Sequence, residues 1–183
     1  MRIVAGEWRG RKLVAPKGEA TRPTGDRTRE TLFSMLASRL GSFEDLAVAD
    51  LFAGSGALGL EALSRGAGHC QFVEHDEAAV KAIRANIAAF DARARSDVRA
   101  GSVLTLGPTP EAKDLILLDP PYATGAGSVA LDRLLRLGWI GEATWIALET
   151  GADETVAVKG LSVEAERRVG KAKLTLLRLA ARD

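Results

Sequence analysis

Apolar and polar positions alternate along this chain in a way that predicts strands and helices in turn from residue 46 onward. Short apolar runs of strand length occupy 46–51, 69–74, a segment ending near Ala100, 114–118 and 144–149. Apolar residues at helical spacing occupy the intervals near 56–65, 77–89 and 126–137. Because strands that alternate with helices build parallel sheets, the pattern predicts a doubly wound, mainly parallel α/β sheet.

The two ends of the chain depart from this alternation. Residues 161–169 and 174–179 are joined by Gly170-Lys171, which predicts a terminal antiparallel hairpin. Near the start, 2–14 predicts an N-terminal β-hairpin with turns at Gly6 and Gly10. A helix should follow, capped by Thr24 or Asp26 and ending before Gly41; its apolar stripe is Leu32, Phe33, Leu36 and Leu40. We therefore expect an extension at 1–40 and a main domain at 41–183.

A glycine-rich loop follows the first strand of the main domain. Its spacing, Gly54-x-Gly56-x-x-Gly59, matches the dinucleotide fingerprint, and Glu74 lies 20 residues beyond Gly54. Asp50, at the junction of strand and loop, would repel a pyrophosphate but would suit a cationic ligand such as S-adenosylmethionine. Glu74 could accept hydrogen bonds from ribose hydroxyls under either interpretation. A tight turn with no ligand is the structural alternative. The candidate cofactor residues of this loop are Asp50, Phe52, Ala53, Gly54, Ser55 and Gly56, with Glu74 on the ribose.

A second motif, Asp119-Pro120-Pro121-Tyr122, directly follows the apolar strand 114–118. Together with the glycine-rich loop it resembles the class I methyltransferases that use S-adenosylmethionine to modify exocyclic amines of nucleobases. Ligands of open parallel sheets bind beyond the carboxyl ends of the strands, and Asp50, Glu74 and Asp119 all fall at such ends. Gly101 and Ser102 end another strand, and we expect one of them near the adenine of the cofactor.

The motif suits methyl transfer to a weakly nucleophilic amine. The Asp119 carboxylate and the Pro120 carbonyl can accept the two amine hydrogens and so localise its lone pair, while the prolines, Pro120 and Pro121, fix the backbone. Tyr122 can stack on a base turned out of its helix. Rate would then come from placement and electrostatics, so we expect no metal site. A rigid turn without chemistry is the alternative for the tetrapeptide alone.

Charge is distributed unevenly along the chain. The net charge is +1, yet residues 1–40 contain nine Lys/Arg and four Asp/Glu, so the remainder is net negative. A basic extension on a mildly acidic domain suits a polyanion partner, although chance asymmetry of a solvated surface is the alternative. With a single cysteine, Cys70, no internal disulfide can form. The sequence shows no membrane-length apolar run and no signal peptide, and we expect a cytoplasmic, monomeric protein.

Residues of the N-terminal extension make the resemblance to methyltransferases more specific. MRIVAGEWRGRKL, TRPTGDRTRETLFSML, DLFAGSGALGLEALSRGA and LLDPPY together resemble the bacterial RsmD family over nearly the whole chain. That resemblance implies a Rossmann-like class I methyltransferase that modifies a guanine N2 amine of 16S ribosomal RNA, on assembled small ribosomal subunits. It also implies S-adenosylmethionine as methyl donor and an extension that binds RNA. It assigns catalysis to Asp119, Pro120, Pro121 and Tyr122.

Several questions stay open at the level of sequence. The candidate RNA-binding residues are Arg9, Arg11, Arg22, Arg27 and Arg29. Ion pairs of the helix arginines with Asp26 or Glu30 are the alternative, and Trp8 is either a base-stacking residue or a hydrophobic anchor. Three other functions compete with ribosomal RNA methylation. They are DNA adenine-N6 methylation, non-catalytic ribosome assembly, and NAD-dependent oxidoreduction, which Asp50 and the lack of a Tyr-x-x-x-Lys pair disfavour.

Overall fold

The computed structural model of the chain describes residues 1–16 and 25–182, and it contains a seven-stranded sheet flanked by helices. The strands are β1 (Ala47–Leu51), β2 (His69–Glu74), β3 (Ser96–Ala100), β4 (Leu115–Leu118), β5 (Trp145–Gly151), β6 (Leu161–Val169) and β7 (Ala172–Leu179). The helices are α1 (Gly25–Leu40), α2 (Ala57–Ser64), α3 (Glu77–Ala89) and α4 (Ala126–Arg136). The predicted alternation of strands and helices is therefore confirmed.

The sheet has the order β3-β2-β1-β4-β5-β7-β6. The first five of these strands are parallel to one another, whereas β7 runs antiparallel to both β5 and β6. The chain moves outward from β1 to β2 and β3, then returns to place β4 on the other side of β1. A crevice forms at such a reversal, and it lies beyond the carboxyl ends of β1 and β4.

Two apolar layers cover the two faces of the sheet. One layer packs α1, α2, α3 and the N-terminal extension on one face, with Phe33, Leu60 and Ile83 fully buried. The other packs α4 on the opposite face through Leu131 and Leu134. Cys70 is fully buried in the first layer. Among the described residues, no helix is long and apolar enough to cross a membrane.

The N-terminal extension begins as a hairpin whose two arms share few backbone hydrogen bonds. Arg2 and Lys12 form one antiparallel bridge, and Ile3 N donates to Arg11 O at 3.0 Å beside it. Trp8 is 4% exposed and stacks on Phe90 with ring centroids 5.1 Å apart. The hydrophobic-anchor interpretation of Trp8 is therefore the one that the structure supports. The extension shares its apolar core with the rest of the chain.

A buried carboxylate joins the extension to the main sheet. Glu61 of α2 accepts hydrogen bonds from the backbone N–H groups of Val4 and Ala5 at 2.8 and 3.0 Å. It also pairs with Arg29 Nε at 3.1 Å and with Arg65 Nε at 3.0 Å, and its side chain is fully buried. Four donors thus surround one carboxylate, as a buried charge requires.

The prediction that Asp26 caps the N-terminus of α1 is wrong. Asp26 lies inside α1 as its second residue, so it is not the residue that precedes the helix; Thr24 lies outside the described residues. The Asp26 carboxylate accepts from Arg2 N at 3.2 Å and pairs with Arg29 Nη2 at 2.9 Å. An acidic group in the first turn is favourable for the helix dipole, so Asp26 still stabilises this end of α1.

Candidate active site

The two motif loops meet at the crevice between β1 and β4. β1 leads into the glycine-rich loop, and β4 leads into the loop that begins at Asp119. Leu51 pairs with Leu118, and Asp119 N donates to Leu51 O at 3.4 Å. The glycine-rich loop and the Asp119 loop therefore leave the sheet side by side, at the edge where open parallel sheets bind ligands.

Two non-glycine residues in these loops have a left-handed backbone conformation. Phe52 has a φ of 56° and Ala123 a φ of 59°, which side chains with a Cβ rarely adopt. Strain of this kind persists where the surrounding structure enforces it, and it concentrates at binding sites. Each motif loop thus contains one conformation that a simple connection would not need.

The three glycines of the motif, Gly54, Gly56 and Gly59, have different structural roles. Gly56 precedes α2 with φ 84°, and Gly54 has φ 57° and open space where a Cβ would stand. Gly59 lies inside α2, where a Cβ would stand 2.4 Å from a ring carbon of Phe72. Gly59 therefore lets α2 pack closely on β2, whereas Gly54 leaves room beside the loop. Ala53 and Ser55 are buried within the loop.

Asp50 lies beneath the loop rather than on its surface. It is 1% exposed, and its Oδ2 accepts from Gly59 N at 2.9 Å. Its Oδ1 has no hydrogen-bond partner among the described residues. Burial raises the pKa of Asp50 to about 8, the Gly59 bond opposes that rise, and the nearby Glu74 carboxylate adds to it. Asp50 therefore orients the loop and leaves one buried oxygen facing no internal donor.

The raised pKa makes stability depend on pH in a defined direction. The unfolded chain releases the Asp50 proton near its ordinary value of 3.8, whereas the folded chain retains it until about pH 8. The contribution of Asp50 to folding therefore falls as pH rises through this window, by on the order of a few kcal/mol. We expect Asp50→Asn to gain stability relative to the parent protein between pH 4 and 8, measured by urea unfolding at several pH values. Parallel stability curves for the two proteins would contradict the assignment.

Glu74 ends β2 and faces the same crevice. Its Oε1 accepts from Gly54 N at 2.8 Å, and its Oε2 accepts from Asp76 N at 2.8 Å. His75 Nδ1 lies 3.5 Å from the same Oε2, and His75 is largely exposed, as expected of a surface residue. Backbone donors hold the Glu74 side chain in one orientation, yet each carboxylate oxygen keeps capacity for a further hydroxyl.

Gly101 and Ser102 follow β3 at the same edge. Gly101 N donates to Glu74 O at 2.9 Å, and Gly101 lines a cavity of about 240 Å³ together with His75 and Arg84. The Ser102 hydroxyl accepts from Leu104 N at 3.1 Å and so caps a short 3-10 turn. Ser102 is engaged locally, and Gly101 is the residue that borders open space.

Tyr122 is held by a residue that sequence analysis did not single out. Its hydroxyl donates to Glu149 Oε2 at 2.7 Å, and its ring lies near the backbone of Gly151. Pro120 is buried and Pro121 exposed, while the Thr124 hydroxyl closes the loop by donating to Pro121 O at 2.9 Å. Glu149 could have been found, because it ends the predicted strand 144–149, and the other predicted strands end near Asp50, Glu74 and Asp119.

The strand register aligns two acidic residues, Asp119 and Glu149, at the carboxyl edge of the sheet. Leu118 pairs with Leu148, so Asp119 and Glu149 follow at the same level on neighbouring strands. Laterally paired residues point to one face of a sheet, and here it is the face covered by α1 and the extension. The structure therefore brings Asp119, Tyr122 and Glu149 together on the side of the sheet that carries the extension.

The candidate RNA-binding arginines occupy different environments. Arg29 is 4% exposed and pairs with Glu61 and Asp26, so the ion-pair alternative describes it and a surface RNA contact does not. Arg9 and Arg27 are exposed. Arg11 is exposed but donates to Ala89 O at 2.7 Å and lies over Phe90. Arg22 lies outside the described residues.

Comparison with known proteins gives concordant matches. A family model described as "Conserved hypothetical protein 95" matches residues 1–178. The chain is 37% identical over 150 residues to the ribosomal RNA small subunit methyltransferase D of Escherichia coli strain K12, a match that covers 82% of this chain and 74% of that protein. The protein of the same name from Haemophilus influenzae is 37% identical over 158 residues, covering 84% and 80%.

A solved structure agrees with these sequence matches. The structure described as a putative methyltransferase from Escherichia coli superposes with a TM-score of 0.87 at 34% identity. That match covers 100% of this chain and 99% of the other. The seven-stranded sheet with its antiparallel end is therefore shared with methyltransferases along the whole chain.

Proposed function

Because the chain belongs to the RsmD family of methyltransferases, we propose that it transfers a methyl group from S-adenosylmethionine to the N2 amine of one guanine in 16S ribosomal RNA. The observation that supports this best is the junction of Asp119, Tyr122 and Glu149 beside the glycine-rich loop at the sheet reversal. A methyl donor and an exocyclic amine both have complementary groups there. We further propose that its partner is the assembled small ribosomal subunit and that it acts in the cytoplasm as a monomer.

The residues present fit S-adenosylmethionine by their chemistry. When bound, it supplies an electrophilic methyl on a sulfonium. Gly54 leaves open space beside the loop, Glu74 offers oriented carboxylate oxygens to hydroxyls, and Gly101 borders a cavity at the end of β3. The unpaired Asp50 Oδ1 can accept a hydrogen bond from a ligand, and a bound cation would favour the ionised carboxylate that burial disfavours, whereas a pyrophosphate would oppose that ionisation.

The chain's own contribution to transfer is placement and charge. Asp119 and the Pro120 carbonyl accept the hydrogens of the target amine and leave its lone pair directed away from them. Tyr122 stacks on the guanine ring and keeps the amine at that position. As the amine becomes positively charged, the fixed Asp119 carboxylate stabilises it without reorganisation and can accept its proton.

Glu149 acts in this scheme as a positioning residue for Tyr122. We expect Glu149→Ala and Tyr122→Phe each to lower kcat about ten- to hundred-fold, because a ring displaced by 1 Å misplaces the amine. Affinity for S-adenosylmethionine should stay unchanged. The double variant should be no worse than either single variant, since both remove the same hydrogen bond. The measurement is kcat and KM for the RNA substrate with saturating donor. If the losses of the two single variants add in the double variant, Glu149 does not act through Tyr122.

The extension supplies the proposed RNA contacts of the N-terminal half. Arg9, Arg11 and Arg27 are exposed on it and can pair with phosphate, whereas Arg29 holds the extension together through Glu61. Arg9 is the simplest of these to test, because it projects from the turn that ends at Gly10.

A transfer assay with labelled methyl tests the proposed function. Unmethylated small subunits, naked 16S RNA and duplex DNA are each incubated with the protein and S-adenosylmethionine labelled in its methyl group. We expect label in ribosomal RNA, and nuclease digestion should locate it on a guanine N2. Label in DNA adenine would show a DNA methyltransferase, and no label in any substrate despite donor binding would overturn the proposal.

A further inference from the structure

A basic cleft opens between α1 and the tip of the β6–β7 hairpin. It has a volume of about 340 Å³ and is lined by Arg27, Thr31, Arg167, Arg168, Val169 and Gly170. Three arginines and no acidic residue line it. We call these six residues the hairpin cleft.

The arginines of the hairpin cleft are weakly neutralised by the protein. Within the described part of the chain, neither Arg27 nor Arg167 makes an ion pair within 4.0 Å. Arg168 Nη1 lies 3.8 Å from Asp153 Oδ1, but both side chains are exposed, so water screens that pair. The lining of the hairpin cleft therefore has a net positive charge that one exposed carboxylate offsets only weakly, and a bound anion would neutralise it.

Strand register places the hairpin cleft next to the catalytic edge. Leu174 of β7 pairs with Glu149 on one side and with Arg167 on the other. Because neighbouring strands lie about 4.8 Å apart, the Cα atoms of Glu149 and Arg167 are roughly 10 Å apart. The paired side chains point to one face, so Arg167 and the Tyr122 partner Glu149 share a side of the sheet.

We propose that the hairpin cleft binds backbone phosphates of the RNA strand that flanks the target nucleotide. This inference rests on the proposed transfer to ribosomal RNA and adds a second RNA contact, formed by the C-terminal hairpin with α1. Arginine matches the geometry of phosphate oxygens with two parallel donors. A nucleotide turned out toward Asp119 leaves its neighbouring phosphates within reach of this row of residues. Gly170 at the tip has open space around it, so the strand can approach the backbone.

Charge reversal in the hairpin cleft tests the inference. The test protein is the full chain with Arg167→Glu and Arg168→Glu together, and a second protein carries Arg27→Glu. The matched control is Arg136→Glu, an exposed arginine at the last turn of α4 near the opposite edge of the sheet. Affinity for unmethylated small subunits is measured between 50 and 200 mM salt. Donor affinity and thermal midpoint are measured on the same samples.

The expected result is a selective loss of RNA affinity. The double variant should bind subunits about 10–100-fold more weakly, and the slope of log affinity against log salt should shrink by about 1.4 to 1.8. Donor affinity and the thermal midpoint should match those of the control. Should charge reversal prevent folding, Arg167→Gln with Arg168→Gln gives the same comparison with a smaller charge change.

Two outcomes separate this inference from the proposed function. If the parent protein methylates subunit RNA but the double variant binds subunits as the Arg136→Glu control does, the hairpin cleft has no role in RNA binding. If the parent protein transfers no methyl to ribosomal RNA, the proposed function fails, and the inference that rests on it fails with it.

Discussion

Replacing Asp119 by alanine should abolish measurable methyl transfer while leaving donor affinity unchanged. Asp119 lies beyond β4 at the reversal point, level with Glu149, and in the proposed mechanism it contacts the target amine there. Removing one preorganised electrostatic contact to a transition state costs about 10²–10³-fold in rate, and Asp119 is also the proton acceptor of the scheme. Single-turnover transfer to small subunits, with donor binding measured by calorimetry, gives both quantities. Unchanged turnover would remove Asp119 from the mechanism.

Asp114 provides a matched control on the same strand region. Its Oδ2 accepts from Ala47 N at 2.8 Å at the amino end of β4, on the far edge of the sheet from the crevice. Asp114→Asn should lower stability by about 1 kcal/mol or less and leave kcat intact. A comparable loss of kcat in Asp114→Asn would mean that the Asp119 effect reports general damage to β4.

The second large effect is on stability and falls on Glu61. Glu61→Ala would leave the buried guanidinium of Arg29 with only the half-exposed Asp26 carboxylate, and it would remove the acceptor of the Val4 and Ala5 N–H groups. Breaking a buried ion pair by removing one partner costs about 3–5 kcal/mol. Urea unfolding of Glu61→Ala should show a loss of this size. A loss below 1 kcal/mol would show that the extension is held by its apolar contacts alone.

Glu77→Ala is the matched control for Glu61. Glu77 is exposed in the first turn of α3 and lies 3.9 Å from Lys81. A pair of this kind contributes well under 1 kcal/mol, so this variant should unfold almost as the parent protein does. The burial of Arg29 also decides which of the two candidate RNA-binding arginines of α1 can be tested by charge reversal. Reversing the charge of Arg29 should unfold the extension, whereas reversing the charge of Arg27 tests RNA binding without that effect.

The fold was predictable because burial determines local pattern. β1, β2 and β5 are buried through most of their length and appear as apolar runs, and their limits agree with the sequence prediction within two residues. The position of Asp119 and Glu74 at the carboxyl edge was predictable, because Asp119 directly follows one such run and Glu74 ends another. The parallel sheet then brings the strand ends to one edge, whatever the details of packing.

The remaining site features depend on contacts between distant parts of the chain. Glu61 lies in an apolar helix without a spacing signal, and three of its four partners are 32 to 57 residues away in sequence. The burial of Arg29 follows from those partners, and a position in the first helical turn is equally compatible with exposure. Arg167 reaches the catalytic edge only through the register of β6, β7 and β5, which a sequence pattern does not specify.

Helix α2 connects the two substrates of the proposed reaction energetically. The glycine-rich loop leads into its first turn, and Glu61 in that helix anchors the extension that carries the RNA-facing arginines. Any shift of the extension on binding RNA therefore changes the free energy of the loop that receives the donor. Thermodynamic reciprocity then fixes the converse: the factor by which RNA alters donor affinity equals the factor by which donor alters RNA affinity.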